Sequence, residues 1–275
     1  MNILEALYLF YKTPYDNDTV DIIQLSLQEN KYGPMIYIAF IKCLETIAKI
    51  DPVFAWTKWP NASATIHGSP VVQDLLLYIQ SPFHTVRLNA RNCLRILFAS
   101  KDVDLRWLTE FFTKLKEITI GLFHVKGELK DKVREDERRN RTASALHMMA
   151  VVISSNAIFR SEALLFMLQL IVEKNVRSDS VKKVLERISA SLRNRDPNSL
   201  IENNLNYLLT NWLEETYTLH QFPVAVAQCA TEQEFCQKYI DIVVPILIQK
   251  GDLKGAHNLC NKLGMSFKDV IGNCF

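Results

Sequence analysis

The 275-residue sequence has few of the residues that interrupt regular structure and no segment long enough to cross a membrane. Only eight glycines and nine prolines occur. The longest apolar runs, residues 36–41 and 242–248, fall well short of the roughly 20 residues that a membrane-spanning helix requires. Because 48% of the residues are hydrophobic, the chain can still bury a sizeable core. We therefore predict a folded protein that makes no contact with a membrane.

The motifs of phosphate, metal and nucleophile chemistry are also missing. No two glycines stand close enough to form a loop over phosphates, and no DFG-like triplet is present. The sequence contains no HExxH pattern, no CxxC pair and no GxSxG elbow. We therefore predict no catalytic, cofactor-binding or metal-binding residues in this chain.

The cysteines and the net charge indicate in which compartment the protein lies and which partners it attracts. The six cysteines lie among apolar residues, as expected of buried, reduced thiols, and they are Cys43, Cys93, Cys229, Cys236, Cys260 and Cys274. Met1 is followed by no basic region and no cleavage site of a secretory signal, so we expect an intracellular protein. A net charge of +2 gives no overall attraction to nucleic acid.

What the sequence does contain is helical periodicity along almost its whole length. Apolar residues recur every three or four positions, and no run alternates as a half-buried strand would. We predict an all-α fold without sheet. The predicted helices cover residues 2–11, 18–29, 34–50, 70–80, 82–99, 102–122, 128–155, 158–174, 178–192, 198–215, 231–250, 252–263 and 266–274.

Short connections between these thirteen predicted helices favour stacked antiparallel helix pairs over a single bundle. The spacing is irregular, about 40 residues per pair at best, which is typical of HEAT-like repeats in an armadillo-type superhelix. We therefore predict an α-solenoid. Two stretches depart from this rhythm, because residues 51–70 read as a long irregular crossover and residues 126–141 as a densely charged, solvated helix start.

The helix predicted at 82–99 carries a candidate basic face. Its apolar residues share one side, while Arg87, Arg91 and Arg95 follow each other at i, i+4 spacing on another. Ser81 and Pro82 are suited to the N-cap and first turn of this helix. The arginine face is either a solvated outer surface or a surface that touches phosphates.

Four residues in the last third are candidate structural anchors. Trp212 and Phe222 flank a short turn that ends at Pro223, which cannot continue a helix with full hydrogen bonding. We predict a corner between two helices held by these two aromatic rings. Pro245 lies within an apolar helical segment and should kink it.

Several strings in the second half resemble the helical solenoid of the ATM-type (ataxia-telangiectasia-mutated) kinases, a branch of the phosphatidylinositol-3-kinase-related protein kinase family. The resemblance lies in residues 150–155, 181–189, 206–213, 217–223 and 235–247. It is good over residues 143–275 and thin over residues 1–142. We predict that both stretches consist of HEAT-like repeats and form one continuous solenoid.

The resemblance implies a function that the motifs alone do not give. In this family the solenoid precedes a distant serine/threonine kinase domain, so the residues that bind ATP and magnesium have no counterpart here. The implied role is a non-catalytic scaffold in DNA double-strand-break signalling, cell-cycle checkpoints and telomere maintenance. It implies a nuclear protein, protein partners, contacts with the rest of its own chain, a homodimer and possible contact with DNA. The end at Phe275, without a polar capping repeat, fits a fragment of a longer protein.

The alternative is a free-standing HEAT-repeat adaptor or transport protein. Such a protein would have terminal repeats with polar outer helices. The apolar segment at residues 2–11 argues against this alternative.

Overall fold

A computed structural model of the chain describes residues 34–56, 75–76, 78–79, 81, 83–123, 131–193, 198–214 and 217–274. These residues form helices, turns and bends, and none of them lies in a strand. The all-α prediction is therefore confirmed for this part of the chain. None of its helices combines the length and the apolar character that crossing a membrane requires.

The chain divides into two compact units, residues 1–156 and residues 157–275. The boundary of the resemblance at residue 142 lies inside a helix of the first unit. The predicted helices at 2–11 and 18–29 lie outside the described residues. Of the helix predicted at 70–80, Leu75, Leu76, Tyr78 and Ile79 are helical and buried.

Five helices are described in the first unit. They are α1 (Pro34–Ile50), α2 (Pro52–Trp56), α3 (His84–Ala99), α4 (Leu105–Gly121) and α5 (Asp131–Ser155). Helix α3 packs against both α1 and α5, and its apolar side is buried by them, as its periodicity predicts. The Asp104 carboxylate caps α4 by accepting a hydrogen bond from the Arg106 backbone N–H at 2.9 Å.

Two details of the first unit differ from the sequence-based prediction. The irregular crossover predicted at 51–70 begins instead with α2, because Pro52 is suited to a first helical position and buried Trp56 packs edge-on against Phe111. Trp59, Pro60 and the remainder of that crossover lie outside the described residues. Helix α3 begins at His84 with Phe83 at its N-cap, two residues after the predicted cap at Ser81.

The helical elements described in the second unit are shorter. They are α6 (Arg160–Glu173), α7 (Ser178–Ser191), α8 (Ser199–Glu202), α9 (Leu205–Glu214), the 3₁₀ turns η1 (Leu219–Gln221) and η2 (Val224–Ala227), α10 (Glu232–Lys238), α11 (Ile240–Gln249), α12 (Leu253–Lys262) and α13 (Phe267–Cys274). Helix α6 is apolar almost all round, with seven buried residues, which is typical of a central helix. It packs against α9, and α11 packs against α9, α12 and α13.

Two helices predicted as continuous are each interrupted in the second unit. The segment 198–215 breaks between α8 and α9, where the Asn204 side chain donates to the Leu200 carbonyl at 2.7 Å and accepts from the Ser161 hydroxyl at 2.6 Å. Such side-chain bonds compete with helix continuation. The segment 231–250 breaks at Tyr239, whose ψ of 31° lies outside the helical range.

Candidate functional site

The structure brings the predicted anchors Trp212 and Phe222 together in the second unit. Both side chains are buried, and their ring centroids lie 5.3 Å apart in an edge-to-face arrangement. Aromatic pairs of this geometry add stabilisation beyond the burial of their surface. Trp212 comes from the end of α9 and Phe222 from the residue after η1.

Polar contacts fix the turn between these two rings. The indole N–H of Trp212 donates to the Thr218 carbonyl at 3.0 Å. Thr218 and Gln221 form a capping box around η1, in which the Thr218 backbone N–H donates to the Gln221 side chain at 2.9 Å. Pro223 then separates η1 from η2, and Phe222 before it is extended with ψ of 128°, as a residue preceding proline prefers.

The two predicted aromatic rings belong to a longer row, which we call the aromatic ladder. Its five rings, in spatial order, are Tyr217, Trp212, Phe222, Phe235 and Tyr239, and successive centroids lie 4.5, 5.3, 5.2 and 5.1 Å apart. Sequence reasoning missed three of its members. The i, i+4 spacing of Phe235 and Tyr239 was a usable signal for one end; the stacking of Tyr217 on Trp212 depends on the turn and had none.

A carboxylate accepts a hydrogen bond at each end of the aromatic ladder. The Tyr217 hydroxyl donates to Glu173 of α6. At the other end the Tyr239 hydroxyl donates to Glu202 of α8 at 2.8 Å. Both phenolic hydroxyls therefore have the partner that such groups need when they are partly removed from water, and the ladder is connected to α6 and α8.

Glu202 also binds the ammonium group of Lys238, whose Nζ lies 3.0 Å from the carboxylate. The same ammonium lies 4.8 Å from the Tyr239 ring centroid, in a cation–π contact. Hydrogen bonds donated by Tyr239 and Lys238 lower the pKa of Glu202. The hydrogen bonds of Lys238 with Tyr239 and Glu202 raise the pKa of Lys238. Both groups are therefore charged at neutral pH.

Pro245, the remaining predicted anchor, lies inside α11. It has no N–H to donate to the carbonyl of Asp241, four residues earlier. The residues on either side of it, Val244 and Ile246, are buried, so packing holds this part of the helix in place. The kink at Pro245 stays a prediction.

The predicted basic face lies in the first unit, and its members differ in exposure. Arg87 and Arg91 are half-buried, whereas Arg95 is exposed. The Arg87 guanidinium donates from Nη1 to the Ser81 carbonyl at 2.7 Å. The Nε of Arg91 is buried, and no described residue accepts its hydrogen.

A fourth arginine, which sequence reasoning missed, lies near this face. Arg141 of α5 donates to the Leu122 carbonyl at 3.4 Å. Burial and the positive charge of Arg141 lower the pKa of Arg87, and burial and the charge of Arg87 lower that of Arg91. Nothing in the spacing of α5 pointed to Arg141, because its position depends on how α5 packs against α3. We call Arg87, Arg91 and Arg141 the arginine cluster.

The five cysteines whose burial is described lie in the cores of the two units. The five described thiols are buried and form no disulfide. Burial raises the pKa of Cys43 and of Cys236 to about 11, so both stay protonated at neutral pH, whereas a cysteine nucleophile is a thiolate. Among the described residues, His, Cys, Asp and Glu side chains do not gather in a group that could hold a metal ion.

Comparison with known proteins shows a distant similarity to an ATM kinase and does not show a family. No protein-family model matches the chain. The chain is 22% identical to a serine-protein kinase ATM of Sus scrofa over 265 residues, which covers 90% of the chain but 8% of that relative. The similarity is thus wider than residues 143–275, from which the resemblance was recognised. At this distance, the chain is similar to a small segment of an ATM kinase, and the described residues form an all-α structure.

Proposed function

We propose that this chain is a non-catalytic scaffold segment of an ATM-type serine/threonine protein kinase, built as a HEAT-like α-solenoid. The observation that carries the proposal is the similarity to a segment amounting to 8% of an ATM kinase along 90% of this chain. The all-helical structure and the closely packed corner at Trp212 agree with this role. In stacked helical repeats each unit contacts its neighbours and leaves an extended face free for partners.

The proposed role is in DNA double-strand-break signalling, cell-cycle checkpoints and telomere maintenance, and its compartment is the nucleus. Its partners are other proteins and the rest of its own chain, with a homodimer as the assembly. ATP and magnesium would bind in a kinase domain outside this chain. DNA contact through Arg87, Arg91 and Arg95 is the least supported part, because Arg87 and Arg91 are half-buried and Arg87 contacts Ser81.

The first experiment is to sequence transcripts of the gene beyond the codon for Phe275. A kinase assignment requires that the reading frame continue to a catalytic loop of the GDRHxxN type. If the frame closes without such a loop, the assignment fails, and the free-standing HEAT-repeat adaptor becomes the better description.

The second experiment tests the scaffold role in the full-length protein. We expect deletion of residues 157–275 to leave phosphorylation of a short peptide by the purified kinase within about twofold of wild type, since no catalytic group is removed. Phosphorylation of cellular substrates after DNA breakage should be lost, because it depends on partners. Equal loss in both assays would contradict a scaffold role and indicate a direct contribution to catalysis.

A further inference from the structure

Ser81 is a half-buried serine at the start of α3. Its backbone N–H donates to the Tyr78 carbonyl at 3.1 Å. Its hydroxyl oxygen accepts a hydrogen bond from the Phe83 backbone N–H at 3.2 Å, so the side chain already turns towards the first residues of the helix. In the sequence Ser81 is followed by Pro82.

The guanidinium group of Arg87 contacts the backbone of this serine. Nη1 of Arg87 is 2.7 Å from the Ser81 carbonyl oxygen. The cation therefore lies close to the side chain of the same residue, whose hydroxyl oxygen is four bonds from that carbonyl oxygen. Burial and the positive charge of Arg141 lower the pKa of Arg87. Burial and the positive charge of Arg87 lower the pKa of Arg91. A dianion at the Ser81 hydroxyl would therefore lie close to the Arg87 guanidinium, the side-chain group that best matches phosphate oxygens.

The first turn of α3 is also suited to an anion. It contains no acidic residue, and the Phe83 N-cap supplies no side-chain acceptor. The helix therefore offers backbone N–H groups and the positive end of its dipole to an anion placed just before it. These features alone would not define a site; they add to the contact between Ser81 and Arg87.

We propose that Ser81 is a phosphorylation site for a proline-directed kinase and that Arg87 binds the resulting phosphate against the start of α3. In the reaction the Ser81 oxygen forms a bond to the γ-phosphorus of ATP. The bond from that phosphorus to the ADP oxygen breaks, and the hydroxyl proton passes to the kinase base. Since α3 packs against α1 and α5, the phosphate would stabilise the centre of the first unit.

The test uses the full chain with Thr13→Ala and Ser69→Ala, which remove the other Ser-Pro and Thr-Pro dipeptides. Incubation with a purified proline-directed kinase and MgATP should add one phosphate to the native protein, located at Ser81 by mass spectrometry. Pro82→Ala should abolish it. Failure of the native chain to accept phosphate would overturn the proposal.

The contact with Arg87 has its own readout in ³¹P NMR. We expect the phosphate at Ser81 to titrate below the usual second pKa of about 6, because a neighbouring cation favours the dianion. Arg87→Gln should return the titration towards that value, and Arg87→Lys should give an intermediate result. The same titration in wild type and Arg87→Gln would overturn the role of Arg87 even if both fold equally well.

Thermal unfolding supplies the consequence for the fold. Phosphorylation of the chain with Thr13→Ala and Ser69→Ala should raise the midpoint by about 3 °C. The rise should be absent in Arg87→Gln. A lower midpoint after phosphorylation would contradict stabilisation through this contact.

Discussion

Among the described residues each unit buries one tryptophan almost completely, but the two indole N–H groups differ. Trp212 in the second unit donates to the Thr218 carbonyl at 3.0 Å. The N–H of Trp56 in the first unit is buried, and no described residue accepts it. The two tryptophans are thus equally buried, but only the Trp212 N–H has a hydrogen-bond acceptor among the described residues. An unpaired buried donor costs about 1–3 kcal/mol, so equal burial does not mean equal stabilisation.

A second comparison concerns the charges around Glu202 in the second unit and those of the arginine cluster in the first. In the second unit Glu202 binds both Lys238 and Tyr239, and His220 pairs with Glu232 at 2.7 Å. In the first unit burial lowers the pKa of Arg87 and of Arg91, and the positive charges of Arg141 and Arg87, respectively, lower them further. Charges arranged against stability often indicate a surface kept for another purpose. Charged side chains therefore contribute to stability differently around Glu202 and in the arginine cluster.

The largest expected effect comes from removing the central ring of the aromatic ladder. Trp212→Ala should lower the free energy of unfolding of the second unit by about 4 kcal/mol, through lost burial, a cavity and the lost bond to Thr218. Urea unfolding, together with native-state hydrogen exchange of amides in residues 160–249, measures it. A loss below about 1 kcal/mol would mean that the corner is not an anchor.

The matched pair Trp212→Phe and Trp56→Phe isolates the indole N–H. Trp212→Phe should cost about 1 kcal/mol more than Trp56→Phe, because the first leaves the Thr218 carbonyl without its donor and the second removes a buried donor that has no described acceptor. Equal costs, measured in the same unfolding experiments, would remove the distinction between the two tryptophans.

These two tryptophans also mark how far the sequence predicts the fold. Periodicity predicted most described helices, and the positions of Trp212, Phe222 and Pro223 predicted a corner. The sequence did not predict the breaks at Asn204 and Tyr239, because they arise from side-chain bonds and local backbone geometry that periodicity does not contain. It also read residues 52–56 as irregular, although burial of Trp56 against Phe111 stabilises a short helix there.

The candidate site was less predictable than the fold. The i, i+4 spacing placed Arg87, Arg91 and Arg95 on one face, but only Arg95 is exposed. The arginine whose charge lowers the pKa of Arg87 is Arg141, which lies on another helix. Likewise, Glu173 and Glu202 reach the ends of the aromatic ladder across 44 and 37 positions of sequence. Contacts of this range depend on packing between helices, so no local pattern reveals them.

A smaller effect is expected at Glu202, where the charges of the second unit are paired. Glu202→Gln should lower the free energy of unfolding at pH 7 by about 1 kcal/mol, a value kept small because the side chain is 36% exposed. Its pKa is lower in the folded protein. The stabilisation is therefore complete above the unfolded pKa of about 4.3 and is lost as the pH falls through the folded value.

The difference between wild type and Glu202→Gln should accordingly shrink below pH 4 in urea unfolding. Glu45→Gln is the control from the first unit, because its partner Lys49 is an exposed neighbour on the same helix at 2.7 Å. That change should cost about 0.3 kcal/mol. A difference at Glu202 that stays constant from pH 7 to pH 3 would contradict the paired charge as its source.

Relief of backbone strain at one position in the second unit should increase stability. Gln228 is exposed and has a left-handed φ of 58°, which costs a residue with a Cβ about 1 kcal/mol. Gln228→Gly should raise the free energy of unfolding by about 0.5 kcal/mol, after the greater entropy of glycine in the unfolded chain is subtracted. Gly251→Ala is the reverse control, since Gly251 has φ of 81° and open space around it, and it should be destabilising. A loss on Gln228→Gly would show that its side chain has a role.

The smallest effect on stability is expected in the arginine cluster. It shows whether the first unit tolerates the loss of a charged side chain better than the second unit does. Arg91→Met keeps the aliphatic stem but removes a buried Nε without a described acceptor and the repulsion from Arg87. The free energy of unfolding should stay within about 0.5 kcal/mol of wild type, on the stable side. Added salt should stabilise wild type more than Arg91→Met, because salt screens like charges, whereas Arg95→Met at an exposed position should not alter the salt response. If Arg91→Met instead loses more than about 1 kcal/mol, Arg91 is a structural donor, and the contrast with the paired charges around Glu202 fails.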